Sequence, residues 1–421
     1  MSNTTQPSST QSGTTFAALG LPQRLVTALE RRGVRTPFPI QTRTLPDALA
    51  GRDLLGRGQT GSGKTLAFGL PLLARLAGAE RAAAAGAPRG LVLVPTRELA
   101  GQVRDELEPL GHAVGLKTVA VFGGAPMGRQ IAALRRGVDV VVATPGRLQD
   151  LIERGDCSLA DVEVTVLDEA DFMSDLGFLP VVTALLQRTP AGGQRMLFSA
   201  TLDGAVDRIV RRFLSDPVTH AVAPAVAGVE TMDHLAFTVQ RDDKLDVLAE
   251  VASRPARTLL FVRTKHGADR LAKQLIRTGV EAVAIHGNLN QNQRQRALEA
   301  FTAGTVRVLV ATDVAARGIH VDDVDLVVHA DLPADPKDYL HRSGRTARAG
   351  ASGTVLAIVP SGERREAERL FQRAGVRVTP VAVRPGDSAV RAVAESGEPV
   401  IVKQTPAVTE PRTLATASSR P

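Results

Sequence analysis

A glycine-rich run with an embedded lysine, GQTGSGKT at 58–65, has the clearest chemistry in this sequence. It fits the pattern G-x-x-x-x-G-K-[ST], follows a short apolar stretch and precedes a helix-like one. Glycines let the backbone turn tightly and direct N–H groups at phosphate oxygens, and the positive end of the following helix favours the same anion. Lys64 can then reach the β- and γ-phosphates, and the Thr65 hydroxyl can hold Mg²⁺. The run therefore predicts binding of a nucleoside triphosphate.

A second polar segment, DEAD at 168–171, follows the apolar run VTVL at 164–167. Asp168 can bind Mg²⁺ through water, and the adjacent Glu169 can orient or deprotonate an attacking water. An acidic residue at the end of a strand is, on its own, usually part of a solvated turn. Because a phosphate loop precedes it in the same region of the chain, the segment instead predicts a site for hydrolysis of the triphosphate.

Apolar, β-branched runs of strand length alternate with helix-like segments and must position these residues. One set lies at 91–95, 138–144, 164–168 and 195–200, and a second set lies at 258–264, 306–312, 324–330 and 353–359. Continuous apolar runs separated by helices indicate parallel strands that are buried on both faces. Open sheets of this kind bind ligands beyond the carboxyl ends of their strands, where the polar segments fall. We therefore predict two α/β domains in tandem.

Composition sets the predicted boundaries of these domains. The first fifteen residues are polar and of low complexity, and the chain after about residue 385 mixes Pro, Ser, Thr, Ala and Glu without sustained periodicity. The stretch 216–230 is rich in Pro and Ala, as linkers are. The predicted segments are a disordered tail at 1–15, domain 1 at 16–221, a linker at 222–230, domain 2 at 231–384 and a disordered tail at 385–421.

Charge and cysteine content exclude some classes of protein. A net charge of +7, from 51 basic and 44 acidic residues, allows a polyanionic partner without requiring one. The sole cysteine, Cys157, excludes an internal disulfide and a cysteine-based metal site. No apolar run approaches the eighteen or more residues of a membrane span, and no signal-peptide pattern opens the sequence. We expect a soluble, cytoplasmic protein without a membrane partner.

Several short motifs, in a fixed order, resemble the DEAD-box ATP-dependent RNA helicase family. They are Phe16, PFPIQ at 37–41, GQTGSGKT at 58–65, PTREL at 95–99, the glycine pair at 123–124, TPGR at 144–147, DEAD at 168–171, SAT at 199–201, ATDVAARG at 311–318 and HRSGRTARAG at 341–350. Each string alone is weak evidence for the family, but the strings occur in the family's order and together span residues 16 to about 360. The resemblance implies two RecA-like domains, and the Ala- and Arg-rich composition favours a bacterial member.

The resemblance implies a site for ATP and Mg²⁺ shared between the two domains. Gln41 would read adenine through its side-chain amide, which donates and accepts hydrogen bonds at once. The remaining nucleotide contacts would come from Thr60, Gly61, Ser62, Gly63, Lys64, Thr65 and Asp313, with Thr65 and Asp168 holding the metal. Catalysis would depend on Lys64, on Glu169 and on Arg345 and Arg348, which match the family's arginine fingers. The residues that couple this site to RNA would be Asp171, Ser199, Thr201, His341 and Arg342.

The resemblance also implies RNA as the partner, both single strands and short duplexes. The implied contacts are Arg97, Gly124, Thr144 and Arg147 in domain 1, and Thr264, Arg296 and Thr312 in domain 2. Arginine, glycine and threonine suit phosphate and sugar oxygens. With no Trp and one Tyr, the chain has few platforms for stacking bases, which favours backbone contacts without sequence specificity. Nucleotide-driven closure on a single strand would then open a few base pairs.

Three positions depart from the family pattern, and two other functions stay open. Val34 stands where an aromatic residue commonly stacks on adenine in the family, and Phe38 could take over that role or only fill the core. Gly58 stands where the family usually has alanine. His320 stands where many members have an aspartate that contacts ribose. A translocating DNA helicase of the same superfamily would share the phosphate loop, and ATPase stimulation by RNA or by DNA separates it from an RNA helicase. A non-enzymatic RNA clamp is the other alternative. ATP turnover in an assay would exclude it, and no turnover would support it.

Overall fold

Parallel β-sheets form the centre of each half of the chain. The structure is a computed structural model that describes residues 14–58, 62–78, 81–202, 204–221, 232–316, 324–346 and 353–397. Within these residues, the strands of the first half are β1 Leu54–Arg57, β2 Gly90–Leu93, β3 Thr118–Val121, β4 Val140–Ala143, β5 Val164–Leu167, β6 Gln194–Ser199 and β7 Val218–Ala221. Those of the second half are β8 Met232–Val239, β9 Thr258–Phe261, β10 Ala282–Ile285, β11 Val308–Ala311, β12 Leu326–His329, β13 Gly353–Pro360 and β14 Val381–Ala382.

Helices connect the strands and cover the sheets. In the first half they are α1 Gln23–Arg31, α2 Pro39–Leu49, α3 Lys64–Ala77, α4 Arg97–Ala113, α5 Met127–Arg135, α6 Pro145–Glu153, α7 Ala170–Asp175, α8 Leu179–Leu186 and α9 Gly204–Phe213. In the second half they are α10 Lys244–Ala252, α11 Lys265–Arg277, α12 Gln291–Thr302, α13 Asp313–Ala316, α14 Pro336–Ser343, α15 Arg364–Arg373 and α16 Ser388–Ala394, with a short 3₁₀ helix at Ser361–Glu363. None of the helices in these ranges combines the length and apolarity needed to cross a membrane.

The two sheets have the same strand order. The first is β3-β4-β2-β5-β6-β1-β7 and the second is β10-β11-β9-β12-β13-β8-β14, so each strand of domain 1 has its counterpart in domain 2. All the pairings within both sheets are parallel. The prediction of two tandem RecA-like α/β domains with parallel sheets is confirmed.

Alternate residues of the strands fill the layers on opposite faces of each sheet, because successive side chains of a strand point in opposite directions. In β2, Leu91 and Leu93 enter the layer that contains α5, α6 and α8, whereas Val92 packs in the layer with α1 to α4. All four residues of β2, of β4 and of β5 are buried. This double burial explains why these strands are continuous apolar runs.

The second domain extends beyond its predicted end at residue 384. Helix α16 follows that point, and its Val390 and Val393 are 0% and 5% exposed within the core formed with α10 and α11. The sequence contains no clear signal for this helix, because it has only seven residues and no long apolar run. Only two of its side chains are buried. The linker prediction at 222–230 and most of both predicted tails lie outside the described residues.

A stack of buried rings lies beneath α14 in the second domain. The His329 ring, at the end of β12, lies 4.4 Å from the Tyr339 ring at an interplanar angle of 13°. His329 is fully buried, and among the described residues its Nδ1 has no hydrogen-bond partner. Burial, reinforced by the nearby Arg342 and His234, holds the pKa of His329 well below the usual histidine value. The ring is therefore neutral in the folded protein near neutral pH.

We expect His329 to make the protein less stable as the pH falls through about 6.5, the pKa of an unfolded histidine. Below that pH the unfolded chain binds a proton that the folded chain does not, so the unfolded state is favoured by up to about 1.4 kcal/mol per pH unit. His329→Asn should flatten the dependence of the unfolding free energy on pH between about 5 and 7. His112→Asn, at an exposed position, is the control. The unfolding free energy is measured by denaturant titration at several pH values. The same dependence on pH in the wild type and in both variants would contradict this role.

Candidate functional site

The strand order of domain 1 brings the polar segments together. β6 lies between β5 and β1, so the chain after β5, after β6 and after β1 meets at one edge of the sheet. The Gly58 amide at the start of the phosphate loop donates to the Ser199 carbonyl at 3.2 Å. Asp168 follows β5 directly. This edge is the ligand-binding side of an open parallel sheet.

The phosphate loop leads into α3, which begins at Lys64. Gly63 has φ of +85°, a left-handed conformation that favours glycine, and a Cβ there would lie 2.6 Å from Gln41 Nε2. Lys64 Nζ donates to the Gly58 carbonyl at 2.9 Å, which holds the ammonium across the loop, and only 6% of Lys64 is exposed. Ser62 and Thr65 lie beside it, whereas Thr60 and Gly61 fall outside the described residues. The lysine and the helix start are arranged as a phosphate cradle requires.

Gln41 joins α2 to the phosphate loop. Its Nε2 donates to the Gly63 carbonyl at 2.8 Å, and its Oε1 accepts from the Phe38 amide at 2.9 Å. The side chain is fully buried, so these two bonds fix the orientation of the amide. Phe38 is 42% exposed beside the loop, whereas Val34 packs against the domain core. The exposed ring at this edge is therefore Phe38 and not the residue at position 34.

The acidic segment after β5 has an unusual backbone. Glu169 has φ of +52°, and its amide donates to Asp168 Oδ1 at 3.0 Å. Left-handed conformations in residues other than glycine are uncommon and concentrate at functional sites. Burial raises the pKa of Asp168 to about 6, although the Lys64 ammonium acts in the opposite direction. A cation would stabilise this buried carboxylate, so the residues fit Mg²⁺, which binds few protein ligands and keeps several waters.

Hydrogen bonds connect Asp171 to the end of β6. Asp171 Oδ2 accepts from both the amide and the hydroxyl of Thr201, each at 2.9 Å. The Asp171 amide donates to Ser199 Oγ at 3.2 Å, and the Ser199 hydroxyl donates to the Thr201 carbonyl at 2.7 Å. Burial by itself would raise the pKa of Asp171, but Lys64 and the bonds from Thr201 outweigh it and hold the pKa below its usual value. His341 of domain 2 acts in the same direction.

The second domain contributes residues of α14 and the turn after it. The cleft beside the acidic segment is lined by Lys64, Glu169, Asp171, Phe172, Ala200, His341 and Arg345, which come from both domains. Arg345 is 8% exposed. Arg342 donates to both carboxylate oxygens of Asp313 and to the Asp331 carbonyl, so it ties α13 to α14. Arg348 and His320 lie outside the described residues.

A second cleft between the domains contains several of the predicted RNA contacts. It is lined by Pro95, Thr96, Arg97, Glu98, Gly123, Thr144, Gly146, Arg147, Leu176, Phe178, Gly287, Leu289 and Arg294. Gly124 has φ of +80°, a left-handed conformation that favours glycine, and a Cβ there would lie 2.1 Å from Arg97 Nη1, so a larger residue would displace the guanidinium. Across the cleft, Arg294 donates to Glu98 at 2.7 Å, and the side chains of this ion pair are 10% and 6% exposed.

Comparisons with known proteins identify the family. Residues 38–209 match the DEAD/DEAH box helicase family, and residues 243–350 match the helicase conserved C-terminal domain. The chain is 39% identical over 372 residues to the DEAD-box ATP-dependent RNA helicase CshA of Geobacillus kaustophilus, covering 87% of this chain and 79% of that protein. The chain belongs to the DEAD/DEAH box helicase family.

Other similar proteins include longer helicases. The chain is 44% identical over 368 residues to the chloroplastic DEAD-box ATP-dependent RNA helicase 3B of Zea mays, covering 86% of this chain and 49% of that protein. It thus spans about half the length of this relative. A solved structure of S. cerevisiae Dbp5 bound to RNA and ADP BeF₃ is similar at a TM-score of 0.79 and 30% identity, covering 90% of this chain and 98% of Dbp5.

The structure of this DEAD-box family member separates two arginines of α12. The predicted Arg296 is exposed and does not line the second cleft, whereas Arg294, which the sequence analysis missed, does. Arg294 lies three residues before Ala297 and seven before Phe301, both buried, so it shares their helix face. The helical period of α12, applied to its apolar residues, would have identified the inward-facing arginine.

The two threonines predicted in domain 2 lie at strand ends. Thr264 follows β9 as the N-cap of α11, where its Oγ1 accepts from the Gly267 amide at 3.0 Å. Thr312 follows β11 and is 7% exposed. β9 and β11 are paired neighbours, so both residues lie at the same edge of the second sheet. Both threonines therefore follow the carboxyl ends of parallel strands, as the phosphate loop and the acidic segment do in domain 1.

Proposed function

We propose that this chain is an RNA-stimulated ATPase that locally separates short RNA duplexes by closing its two domains on a single strand. The observation that carries this proposal is the cleft where Lys64 and Glu169 of domain 1 meet His341 and Arg345 of domain 2. A site completed by residues of two domains is active only when the domains are together. The family membership supports the same conclusion, because CshA is named an ATP-dependent RNA helicase and the similar Dbp5 structure contains bound RNA.

In the proposed reaction, residues of the first domain bind ATP and direct water at its γ-phosphate. Lys64 and the start of α3 bind the phosphates, Gln41 reads the adenine edge, and the exposed ring of Phe38 lies where it can stack on the base. Asp168 and Thr65 would hold Mg²⁺, which when bound would offset the negative charge of the phosphates. The Glu169 carboxylate orients the attacking water and accepts its proton.

Residues of the second domain complete the site on closure. The planar guanidinium of Arg345 can offset charge that develops on the γ-phosphoryl group, and we assign Arg348 the same role. We assign the coupling of this site to RNA to Asp171, Ser199 and Thr201, which are hydrogen-bonded to one another. Because ATP and RNA both bind the closed form better, each favours binding of the other.

The proposed RNA contacts are to the sugar–phosphate backbone. Arg97, Thr144 and Arg147 line the second cleft on one side, and Arg294 lines it on the other. We add Arg294 to the predicted set, and Gly124, Thr264, Arg296 and Thr312 stay predictions. Such residues provide affinity and salt sensitivity but read no base. The predicted cytoplasmic location also stays a prediction, since the similar proteins include chloroplastic ones.

Binding and unwinding assays test this proposal. We expect single-stranded RNAs of equal length and different sequence to bind alike, with affinity that falls steeply as salt rises, because the contacts are to phosphate. RNA should stimulate ATP hydrolysis and DNA of the same sequence should not, which separates this function from that of a DNA helicase. A short RNA duplex should separate only when ATP or an ATP analogue is present. A strong preference for one RNA sequence would contradict backbone recognition.

A further inference from the structure

Helix α11 of the second domain carries two arginines, a lysine and a histidine along one exposed face. His266, Arg270, Lys273 and Arg277 are exposed at spacings of four, three and four residues, which places them on one side of a helix. The opposite side packs into the domain core through Ala268, Leu271, Ala272 and Leu275. We call the line of Arg270, Lys273 and Arg277, with His266 at its start, the α11 stripe.

The charge of the α11 stripe is not neutralised by the protein. Within the described parts of the chain, the side chains of Arg270, Lys273 and Arg277 form no hydrogen bond or ion pair. The only acidic residue of the helix, Asp269, pairs with His286 at 2.9 Å. Other exposed helices have ion pairs at this spacing, such as Arg211 with Asp207 in α9. Like charges three and four residues apart lower the stability of a helix slightly. A polyanion bound along this face would remove that repulsion.

The α11 stripe is continuous with the RNA cleft. α11 begins after Thr264, one of the predicted RNA contacts, and Lys265 Nζ donates to Asn288 Oδ1 at 3.0 Å. Asn288 lies between Gly287 and Leu289, both of which line the second cleft. At a rise of about 1.5 Å per residue, the eleven steps from His266 to Arg277 extend roughly 16 Å from this end of the helix. A strand leaving the cleft on this side would meet the stripe next.

We propose that the α11 stripe binds the phosphate backbone of RNA that continues from the cleft over the second domain. Arginine can bind phosphate oxygens with two parallel hydrogen bonds, and lysine binds them as a point charge. The stripe contains no Phe, Tyr or Trp, and its arginines and lysine suit phosphate contacts, which read no sequence. It extends the binding site to longer RNAs and leaves the chemistry of the ATP site unchanged. This inference rests on the proposed binding of RNA in the cleft.

A matched pair of double variants tests the stripe. Arg270→Ala with Arg277→Ala removes two stripe charges, and Arg365→Ala with Arg369→Ala removes two exposed arginines from α15 of the same domain. RNA affinity is measured for single strands from about 6 to about 20 nucleotides, a range that brackets typical single-strand sites. ATPase activity without RNA is measured in parallel and should not differ between the variants, because no altered side chain lies in the ATP site. The melting temperatures should differ only slightly, because all four arginines are exposed.

We expect the α11 variant to bind long RNAs roughly tenfold more weakly than the α15 variant, and to bind the shortest ones equally well. Its slope of log affinity against log salt for long RNAs should be smaller by about 1.4, because two phosphate contacts to a single strand are lost. Equal affinities for the two variants at every length would overturn the proposal, as would an equal loss for short and long RNAs. If the wild-type chain binds no RNA at any length, the proposed function fails and this inference fails with it.

Discussion

Replacing Arg345 by alanine is expected to lower kcat for RNA-stimulated ATP hydrolysis by on the order of 10³ or more, the scale found for arginine fingers. Arg345 lines the same cleft as Lys64 and Glu169 although it belongs to the other domain. Its loss should affect RNA affinity much less, because no described RNA contact depends on it. The measurement is steady-state ATP turnover at saturating RNA and nucleotide.

Two further variants make this test specific. Arg345→Lys keeps the positive charge without the planar fork and should recover only part of the activity. Arg369→Ala, an exposed arginine on α15, should leave kcat unchanged. Wild-type turnover in Arg345→Ala would show that the catalytic site does not extend across the two domains.

Replacing Glu169 by glutamine should lower ATP turnover by roughly 10² to 10⁴ while ATP and RNA still bind, because a positioned general base typically contributes a factor of this size. Glutamine has nearly the same shape, so the left-handed backbone at this position and the bond from its amide to Asp168 should persist. Lys64→Ala should instead weaken nucleotide binding, since the ammonium, held across the phosphate loop by its bond to the Gly58 carbonyl, is the group we assign to the phosphates. Fluorescent-nucleotide titrations and turnover assays distinguish the two outcomes.

The control for the glutamine variant is Glu30→Gln, which makes the same chemical change at an exposed position at the end of α1. It should be indistinguishable from the wild type in binding and in turnover. If Glu169→Gln hydrolyses ATP at the wild-type rate, another group must orient the water, and the assignment of the reaction centre is wrong.

The fold could be predicted well from the sequence because its strands are buried on both faces. Runs such as VVVA in β4 and VTVL in β5 have no polar side that would disguise them, and the phosphate loop and the acidic segment mark where β1 and β5 end. Parallel pairing then brings those ends together without any further information. Family membership follows from the same motifs, because their order and spacing are specific.

The sequence predicted less where function depends on which way a side chain faces. Arg294 and Arg296 are two residues apart in an arginine- and glutamine-rich segment, and only the packing of α12 on its sheet determines which of them enters the cleft. Helix α16 was missed because two buried valines, Val390 and Val393, are too few to give a periodic signal. The ion pair between Glu98 and Arg294 depends on the relative position of two domains, which no local pattern encodes.

The most direct test of the two-domain mechanism is the thermodynamic coupling between nucleotide and RNA. RNA affinity is measured with and without a saturating non-hydrolysable ATP analogue, and affinity for the analogue is measured with and without saturating single-stranded RNA. If both ligands favour the closed cleft, each should tighten the other by the same factor, which we expect to be about tenfold or more. Affinities that do not depend on the other ligand would contradict closure of a shared site.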